Sequence, residues 1–279
     1  MGNIFYGSSW GGTATSWLAK VLSMHDDLQC YHGARYFKDS QNNEDISGLN
    51  FAEELKRKAQ KGLCVGGIHG YHGDHMEKPI TDLGGAFGFL TRDPIQRISS
   101  LFNHHLTNSK NPENFTTYKN MLDTFNNLND EMMQYLIESG CFTKALDSNS
   151  TDTIDENMLF TWNIGHALLF ESSVLNSKSP TFKMEEFTTN PEKFKELFNY
   201  FTQESLTCSK NYLDKVFAVG KNNTHRKTRL TSVDEFNRWR ENQKLIFYIL
   251  IKNNSALLDY YDAIGYPAIK HIFKMIEKG

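Results

Sequence analysis

The first 25 residues contain a strand, a glycine-rich turn and a helix in that order, and this order limits the fold more than any other feature of the sequence. Residues 3–7 form a short run of apolar, β-prone residues, and residues 15–24 place apolar side chains on one helix face. A helical segment follows at residues 51–60. Three further runs have strand character: residues 28–31, 63–68 and 86–90. This alternation predicts an α/β protein.

The run at residues 86–90 is apolar without alternation, which is typical of a strand that is buried on both faces in a parallel sheet. The middle third of the chain differs, because apolar side chains recur at helical spacing over residues 118–135 and again over residues 158–170. Near the C-terminus, Ser232 and Glu235 have the spacing of a capping box, which predicts the start of a last long helix. We therefore expect a central parallel sheet, flanking helices and a helical middle section.

The composition argues against several classes of protein. In 279 residues, 30 basic and 33 acidic side chains give a net charge of −3, so the chain lacks the positive field that proteins coating nucleic acid or anionic membranes use. No apolar run approaches the roughly 18 residues of a membrane span, and no secretory signal precedes the first strand. The four cysteines are far apart, as expected of free thiols. The sequence predicts a soluble, cytoplasmic protein with one domain, residues 1–279.

The turn after the first strand is a candidate anion site. Residues 7–17 combine glycines and hydroxyl side chains between a strand and a helix, where backbone N–H groups and the helix dipole favour a phosphate or sulfate. The spacing from Gly7 to Gly12 matches a Walker A loop, but no Lys follows to contact a β- or γ-phosphate. The alternative is a tight turn with a Ser or Thr helix cap and no ligand, and the loop alone leaves both interpretations open.

A second candidate site follows the run at residues 86–90. Asp93 as the N-cap and Pro94 at the first helical position predict a helix start and need no other explanation. Arg92 lies at the carboxyl end of the strand, the edge at which open α/β sheets bind ligands, and Ser100 follows two turns into the helix. A guanidinium and a hydroxyl suit a phosphate monoester.

These motifs together resemble the family of PAPS-dependent sulfotransferases, whose donor is 3′-phosphoadenosine 5′-phosphosulfate. The unit from residue 4 to the turn at residues 23–26 resembles the family's first strand, 5′-phosphosulfate loop and helix. Arg92, Pro94 and Ser100 match its Arg-x-Pro segment with a following Ser, which is the most specific of the motifs. Weaker similarities complete an ordered set: residues 183–187, Asn190-Pro191 and Gly265-Tyr266.

The resemblance implies a P-loop-NTPase-like three-layer fold and a set of donor contacts. It assigns the 3′-phosphate to Arg92 and Ser100, with Arg226 and Lys227 in a segment that closes over it. It assigns the 5′-phosphosulfate to the loop: Trp10, Gly11, Gly12, Thr13, Ala14, Thr15 and Ser16. This loop departs from the family, because Trp10 stands where a Lys or Arg is usual and the loop is two residues longer. Its functional pair is therefore either Gly12-Thr13 or Thr15-Ser16.

Histidines are the candidates for a base, because sulfuryl transfer to a hydroxyl is assisted by removal of its proton. His69 follows the run at residues 63–68 and matches the family's catalytic His best, while His32 follows residues 28–31. His69, His72 and His75 also have a spacing compatible with a metal site, but glycines between them argue against one shared helical face. A solvated loop side chain remains the alternative for each His.

The resemblance thus implies a sulfotransferase that moves a sulfuryl group from PAPS to a hydroxyl or amine of a small molecule and releases adenosine 3′,5′-bisphosphate. We expect a small-molecule acceptor, no nucleic acid, no membrane and no metal. Two alternatives remain. One is a sulfotransferase-like protein that binds nucleotide without turnover, and the other is a P-loop phosphotransferase that acts on small molecules. The missing loop Lys argues against the second.

Overall fold

The computed structural model describes residues 2–33, 48–59, 62–69, 73–117, 119–120, 156–220, 230–252 and 255–278. Within these, the chain divides into two compact units: Met1–Arg92 with Ser173–Thr224, and Asp93–Ser172 with His225–Gly279. The helical stretch expected at residues 118–135 falls largely outside the described residues. One domain over residues 1–279 stays a prediction.

The first unit contains a sheet of five parallel strands in the order β2-β3-β1-β4-β5. The strands are β1 (Ile4–Ser8), β2 (Leu28–His32), β3 (Cys64–Ile68), β4 (Ala86–Thr91) and β5 (Thr181–Lys183). Its helices are α1 (Thr15–Leu22), α2 (Gly48–Ala59), α3 (Gly73–Asp82), α6 (Met184–Phe187), α7 (Pro191–Thr202) and α8 (Lys210–Ala218). Helix α5 (Glu156–Asn176) precedes β5 in the chain, and α4 (Pro94–Ser109) follows β4.

Helices cover both faces of this sheet. Phe5 and Tyr6 are consecutive in β1 and therefore point to opposite faces. The ring of Phe5 stacks on Phe201 of α7 at 5.0 Å, whereas Tyr6 meets Phe51 of α2 edge-on at 5.9 Å. All of β1, β3 and β4 is buried, as expected of strands covered on both sides. The predicted α/β fold with a central parallel sheet between two helical layers is confirmed.

The second unit is helical in its described part. After α4 it contains α9 (Ser232–Asn237), α10 (Glu241–Lys252), α11 (Ala256–Ala263) and α12 (Ala268–Lys278). Its core includes a fully buried ion pair, in which Arg97 Nη2 lies 2.5 Å from Glu171 Oε1. Trp239 donates its indole N–H to the hydroxyl of Ser99 at 2.7 Å.

The expected helix caps are partly right. Asp93 accepts a hydrogen bond from the Gln96 N–H at 3.0 Å with Pro94 in the first turn of α4, as predicted. The expected capping box at Ser232 is wrong, because Thr231 is the N-cap and accepts from the Asp234 N–H at 3.1 Å. The helix that begins there ends at Asn237, so it is not the long helix expected.

The helix start at Gly73 was not foreseen, because the glycines near the three histidines were expected to interrupt a helix. Helix α3 runs from Gly73 to Asp82 and contains His75, whereas His72 lies outside the described residues. A glycine is tolerated at a helix start, where fewer backbone constraints apply than in the interior. Among the described helices, none is both long and apolar enough to cross a membrane.

Candidate functional site

The candidate site lies at the carboxyl edge of the sheet in the first unit. Because the strands are parallel, the residues that follow β1, β2, β3 and β4 emerge at the same edge. The glycine-rich loop follows β1, His69 follows β3 and Arg92 follows β4, while His32 is the last residue of β2. This order brings four of the predicted site elements to one edge of the sheet.

The loop after β1 is folded on itself by Ser9. Its hydroxyl accepts from the Gly11 N–H at 3.0 Å and shares a hydrogen bond with the Thr13 hydroxyl. Gly11 and Gly12 have φ angles of 111° and 66°, values that favour glycine and explain the glycine pair. Ser9 lies in the predicted anion loop but is not among the predicted donor contacts, which begin at Trp10. Its only sequence signal is a pair of serines between a strand and a glycine turn.

Helix α1 begins at Thr15 without a side-chain cap. Its N-cap is Ala14, which adopts a left-handed conformation with φ 55°, and no acidic residue lies in the first turn. The first hydrogen bond of the helix runs from the Leu18 N–H to the Ala14 carbonyl at 2.9 Å. The N–H groups of the first turn, before Leu18, therefore have no acceptor within the helix. The alternative interpretation of this loop is a tight turn with a Ser or Thr helix cap and no ligand. The start of α1 has no such cap.

The start of α1 also bears on the two alignments of the loop. Thr15 and Ser16 are the first two helical residues, whereas Gly12 and Thr13 lie before the helix. Trp10, in the place of a basic residue, is half-buried, and Thr13 is fully buried. Only Thr15 and Ser16 combine a hydroxyl with the positive end of the helix dipole. The helix start thus favours Thr15-Ser16 as the functional pair.

Arg92 contacts the loop directly. Its Nη1 donates to the Gly12 carbonyl at 2.8 Å, and the side chain is half-buried. The guanidinium has five N–H donors in a fixed plane, so one contact to the loop is compatible with a contact to a ligand. Arg92 therefore has a structural role that sequence reasoning did not foresee, since it ties the end of β4 to the loop after β1.

His69 is held in one orientation and one tautomer. Its backbone has φ 66° and donates its N–H to the Gly7 carbonyl at 3.0 Å. Its Nδ1 lies 2.7 Å from the Ser9 carbonyl oxygen. Because a carbonyl oxygen only accepts, Nδ1 carries the proton, and the neutral ring has its lone pair on Nε2. A half-buried imidazole with a fixed lone pair has the properties of a general base.

His32 lies next to His69 but has different contacts. Their rings stack at a centroid distance of 5.5 Å. The Nε2 atom of His32 is 3.0 Å from Thr15 Oγ1 and 3.2 Å from Ser16 Oγ. A surface pocket of about 300 Å³ opens beside it, lined by Ser16, Ala19, Lys20, Ser23, Cys30, Tyr31 and His32. Burial, with a smaller contribution from Cys64, raises the pKa of the Cys30 thiol well above its usual range, which favours the neutral thiol.

For the remaining predicted residues, a place at this edge stays a prediction. Ser100 is half-buried on α4, which belongs to the second unit. Arg226 and Lys227 fall within residues 221–229, which lie outside the described part of the chain. Among the described residues, no three His, Cys, Asp or Glu side chains are grouped as metal ligands.

Comparison with known proteins adds two solved structures, while no family model and no curated protein matches the sequence. A mouse sulfotransferase, SULT7A1, complexed with PAP shares 11% identity at a TM-score of 0.48, covering 90% of this chain and 84% of the mouse chain. A sulfotransferase from Alicyclobacillus acidocaldarius shares 15% identity at a TM-score of 0.40, covering 78% and 92% respectively. Both of these proteins are sulfotransferases by name.

Proposed function

We propose that this chain is a PAPS-dependent sulfotransferase that transfers a sulfuryl group to a hydroxyl or amine of a small molecule and releases adenosine 3′,5′-bisphosphate. The observation that carries the proposal is the orientation of His69, whose Nδ1 is bonded to the Ser9 carbonyl at 2.7 Å beside the uncapped start of α1. A proton acceptor and an anion-binding helix start then lie on the same short loop. The proposal includes a cytoplasmic location and no metal.

The donor would be held by its two anionic ends. The N–H groups and hydroxyls at the start of α1 suit the 5′-phosphosulfate, since a helix N-terminus favours negative charge. The resemblance assigns the 3′-phosphate to Arg92 and Ser100, with Arg226 and Lys227 as further contacts. The buried hydroxyl of Ser8, at the end of β1, has no hydrogen-bond partner in the described residues, which is also compatible with a polar ligand at this edge.

The chemical step needs a base and a good leaving group. The acceptor oxygen or nitrogen attacks sulfur, the bond between sulfur and the 5′-phosphate oxygen breaks, and the bisphosphate leaves with the bonding electrons. The acceptor proton passes to Nε2 of His69, where the tautomer places the lone pair. Backbone N–H groups stabilise the negative charge that develops on the leaving oxygen.

The test combines turnover with nucleotide affinity. We expect transfer of label from PAPS labelled in its sulfuryl group to hydroxyl or amine compounds in an acceptor panel. Calorimetry should show adenosine 3′,5′-bisphosphate binding at least about 30-fold more tightly than AMP, because charge-assisted bonds to the 3′-phosphate are worth roughly 2 kcal/mol or more. Equal affinities would contradict the donor assignment.

A variant at Ser100 tests the contact with the 3′-phosphate without disturbing the loop after β1. Ser100→Ala should reduce the preference for the bisphosphate and leave AMP affinity unchanged. Arg92→Ala is less informative, because Arg92 also binds the Gly12 carbonyl and its loss disturbs the loop. Transfer from labelled ATP in place of PAPS would support a phosphotransferase, and tight binding of PAPS without transfer would support a nucleotide-binding protein.

A further inference from the structure

The end of β2 and the start of α1 meet through three side chains. Nε2 of His32 lies within hydrogen-bond distance of two hydroxyl oxygens at once, at 3.0 Å from Thr15 Oγ1 and 3.2 Å from Ser16 Oγ. Thr15 is buried and Ser16 is exposed, so the ring spans the inner and outer sides of the helix start. His69 makes no such contact through its Nδ1, which is bonded to a backbone carbonyl.

The two near-equal distances indicate the direction of these bonds. An N–H group is readily shared between two acceptor oxygens in a bifurcated hydrogen bond, whereas a single lone pair accepts one proton well. This geometry favours Nε2 of His32 as the donor and both hydroxyl oxygens as the acceptors. Each hydroxyl then has its only proton directed away from the imidazole.

The hydroxyl protons have no helical acceptor one turn earlier. A Ser or Thr inside a helix usually donates to the carbonyl four residues before it, but Thr15 and Ser16 are the first two residues of α1. Residues 7–17 contain no Lys or Arg, so no cationic side chain of this loop can meet negative charge there. Two polarised hydroxyls at the positive end of a helix are suited to that task.

We propose that His32 is a positioning residue that directs the Thr15 and Ser16 hydroxyl protons towards the oxygen that bridges phosphorus and sulfur in the donor. The inference rests on the proposed function. It separates the roles of the two candidate bases: His69 accepts the acceptor proton, and His32 acts only through the hydroxyls. Hydroxyls that already accept from a fixed N–H are stronger donors in turn, since chains of hydrogen bonds polarise one another.

The first test is a double-mutant cycle on transfer from PAPS. His32→Ala should lower kcat by about 30-fold with little change in the KM for PAPS, because the hydroxyls contribute most when charge develops on the leaving oxygen. In a protein that already carries Thr15→Val and Ser16→Ala, the same His32 substitution should lower kcat by less than about 2-fold. Effects that multiply would show that His32 acts independently and would overturn the proposal.

A conservative variant checks the chemistry of the contact. His32→Gln keeps a neutral N–H donor near the position of Nε2 and should retain most of the activity. Equal losses in the Gln and Ala variants would overturn the donor role. Thermal unfolding of each variant, compared with wild type, separates loss of function from loss of fold.

The second test does not require turnover, so it separates failure of this inference from failure of the proposed function. Nitrogen NMR of ¹⁵N-histidine-labelled protein at about pH 8.5, above the ordinary range of imidazole, reports which ring nitrogen carries the proton. We expect a protonated Nε2 for His32 and a protonated Nδ1 for His69, with the His32→Gln variant assigning the signals. An unprotonated Nε2 in His32 would overturn the inference even in a protein that transfers sulfuryl groups.

Discussion

Helices α1 and α4 begin in opposite ways, although each follows a strand of the same parallel sheet. The N-cap of α1 is Ala14, which offers no side-chain acceptor, and its first turn has no acidic residue. The N-cap of α4 is Asp93, whose carboxylate accepts from the Gln96 N–H, and Pro94 lacks an N–H that would need a partner. Within the part of the chain that the structure describes, the start of α4 is thus capped by a side chain, whereas the start of α1 has no side-chain cap.

The cavities beside the two helices also differ in the charge of the side chains that line them. The cavity beside α1, of about 300 Å³, is lined by Lys20, Ser16 and His32 among others, so it offers a cation and hydrogen-bond donors. The cavity at the start of α4, of about 410 Å³, is lined by Asp93, which also accepts from the Ser232 hydroxyl. A carboxylate there repels an anion. The comparison favours the start of α1 over the start of α4 as the place for an anionic group of the proposed donor.

The largest expected effect comes from placing a carboxylate at the N-cap of α1, as α4 has at Asp93. Ala14→Asp should lower the affinity for PAPS at least about 100-fold, because two like charges about 4 Å apart repel by roughly 4 kcal/mol near a protein surface. Protein stability should not fall, since Asp tolerates the left-handed conformation of residue 14 and a carboxylate favours a helix start. Calorimetric titration with PAPS measures the loss.

The matched control is Ala14→Asn, which has almost the same shape without the charge. Its affinity for PAPS should remain within a few-fold of wild type. If the Asp and Asn variants bind PAPS equally well, the anion does not lie at the start of α1 and the comparison fails.

A second prediction concerns His105 on α4, whose ring is hydrogen-bonded to Asn163 within the protein. Burial lowers the pKa of His105 to about 4, with a smaller contribution from His104, although the hydrogen bond to Asn163 Oδ1 raises it. Because the pKa in the folded state lies below the ordinary value of 6.5, only the unfolded chain takes up this proton between those values. The contribution of His105 to the free energy of unfolding should be fully present above about pH 6.5 and fall by about 3 kcal/mol towards pH 4.

Urea unfolding at a series of pH values checks this, with His105→Gln as the control. The variant lacks the titrating group, so its free energy of unfolding should depend less on pH over the same interval. An identical pH dependence in both proteins would show that other groups control acid stability.

Features of the fold that depend on neighbouring residues, such as helix caps and helix starts, are largely predictable from the sequence. The cap at Asp93 and the helix start at Pro94 follow from side chains one to three residues apart, and the structure has them where they are predicted. The cap at Ser232 was misassigned, because Thr231 has an equally suitable hydroxyl one residue earlier. Neighbouring cap candidates cannot be ranked without the backbone conformation.

The contacts that define the candidate site were not predictable in the same way. His69 and Ser9 are 60 residues apart, and their hydrogen bond depends on the parallel pairing of β1 with β3. The sequence placed both histidines at strand ends, which is enough to bring them to one edge of the sheet. It does not give the tautomer of His69 or the contact of His32 with Thr15, since these depend on how α1 is set against β2.

The smallest expected effect comes from removing the cap of α4. Asp93→Ala should lower the free energy of unfolding by about 1 kcal/mol, because the Gln96 N–H and the Ser232 hydroxyl lose their acceptor. Asp93→Asn keeps an acceptor and should cost less than about 0.5 kcal/mol, which separates the cap from the charge. PAPS affinity should change less than about 2-fold in both, since the cap serves the helix and not the ligand. Affinity that rises steeply on loss of the Asp93 charge would instead place the donor's anionic group at the start of α4, and the contrast between the two helices would have to be reversed.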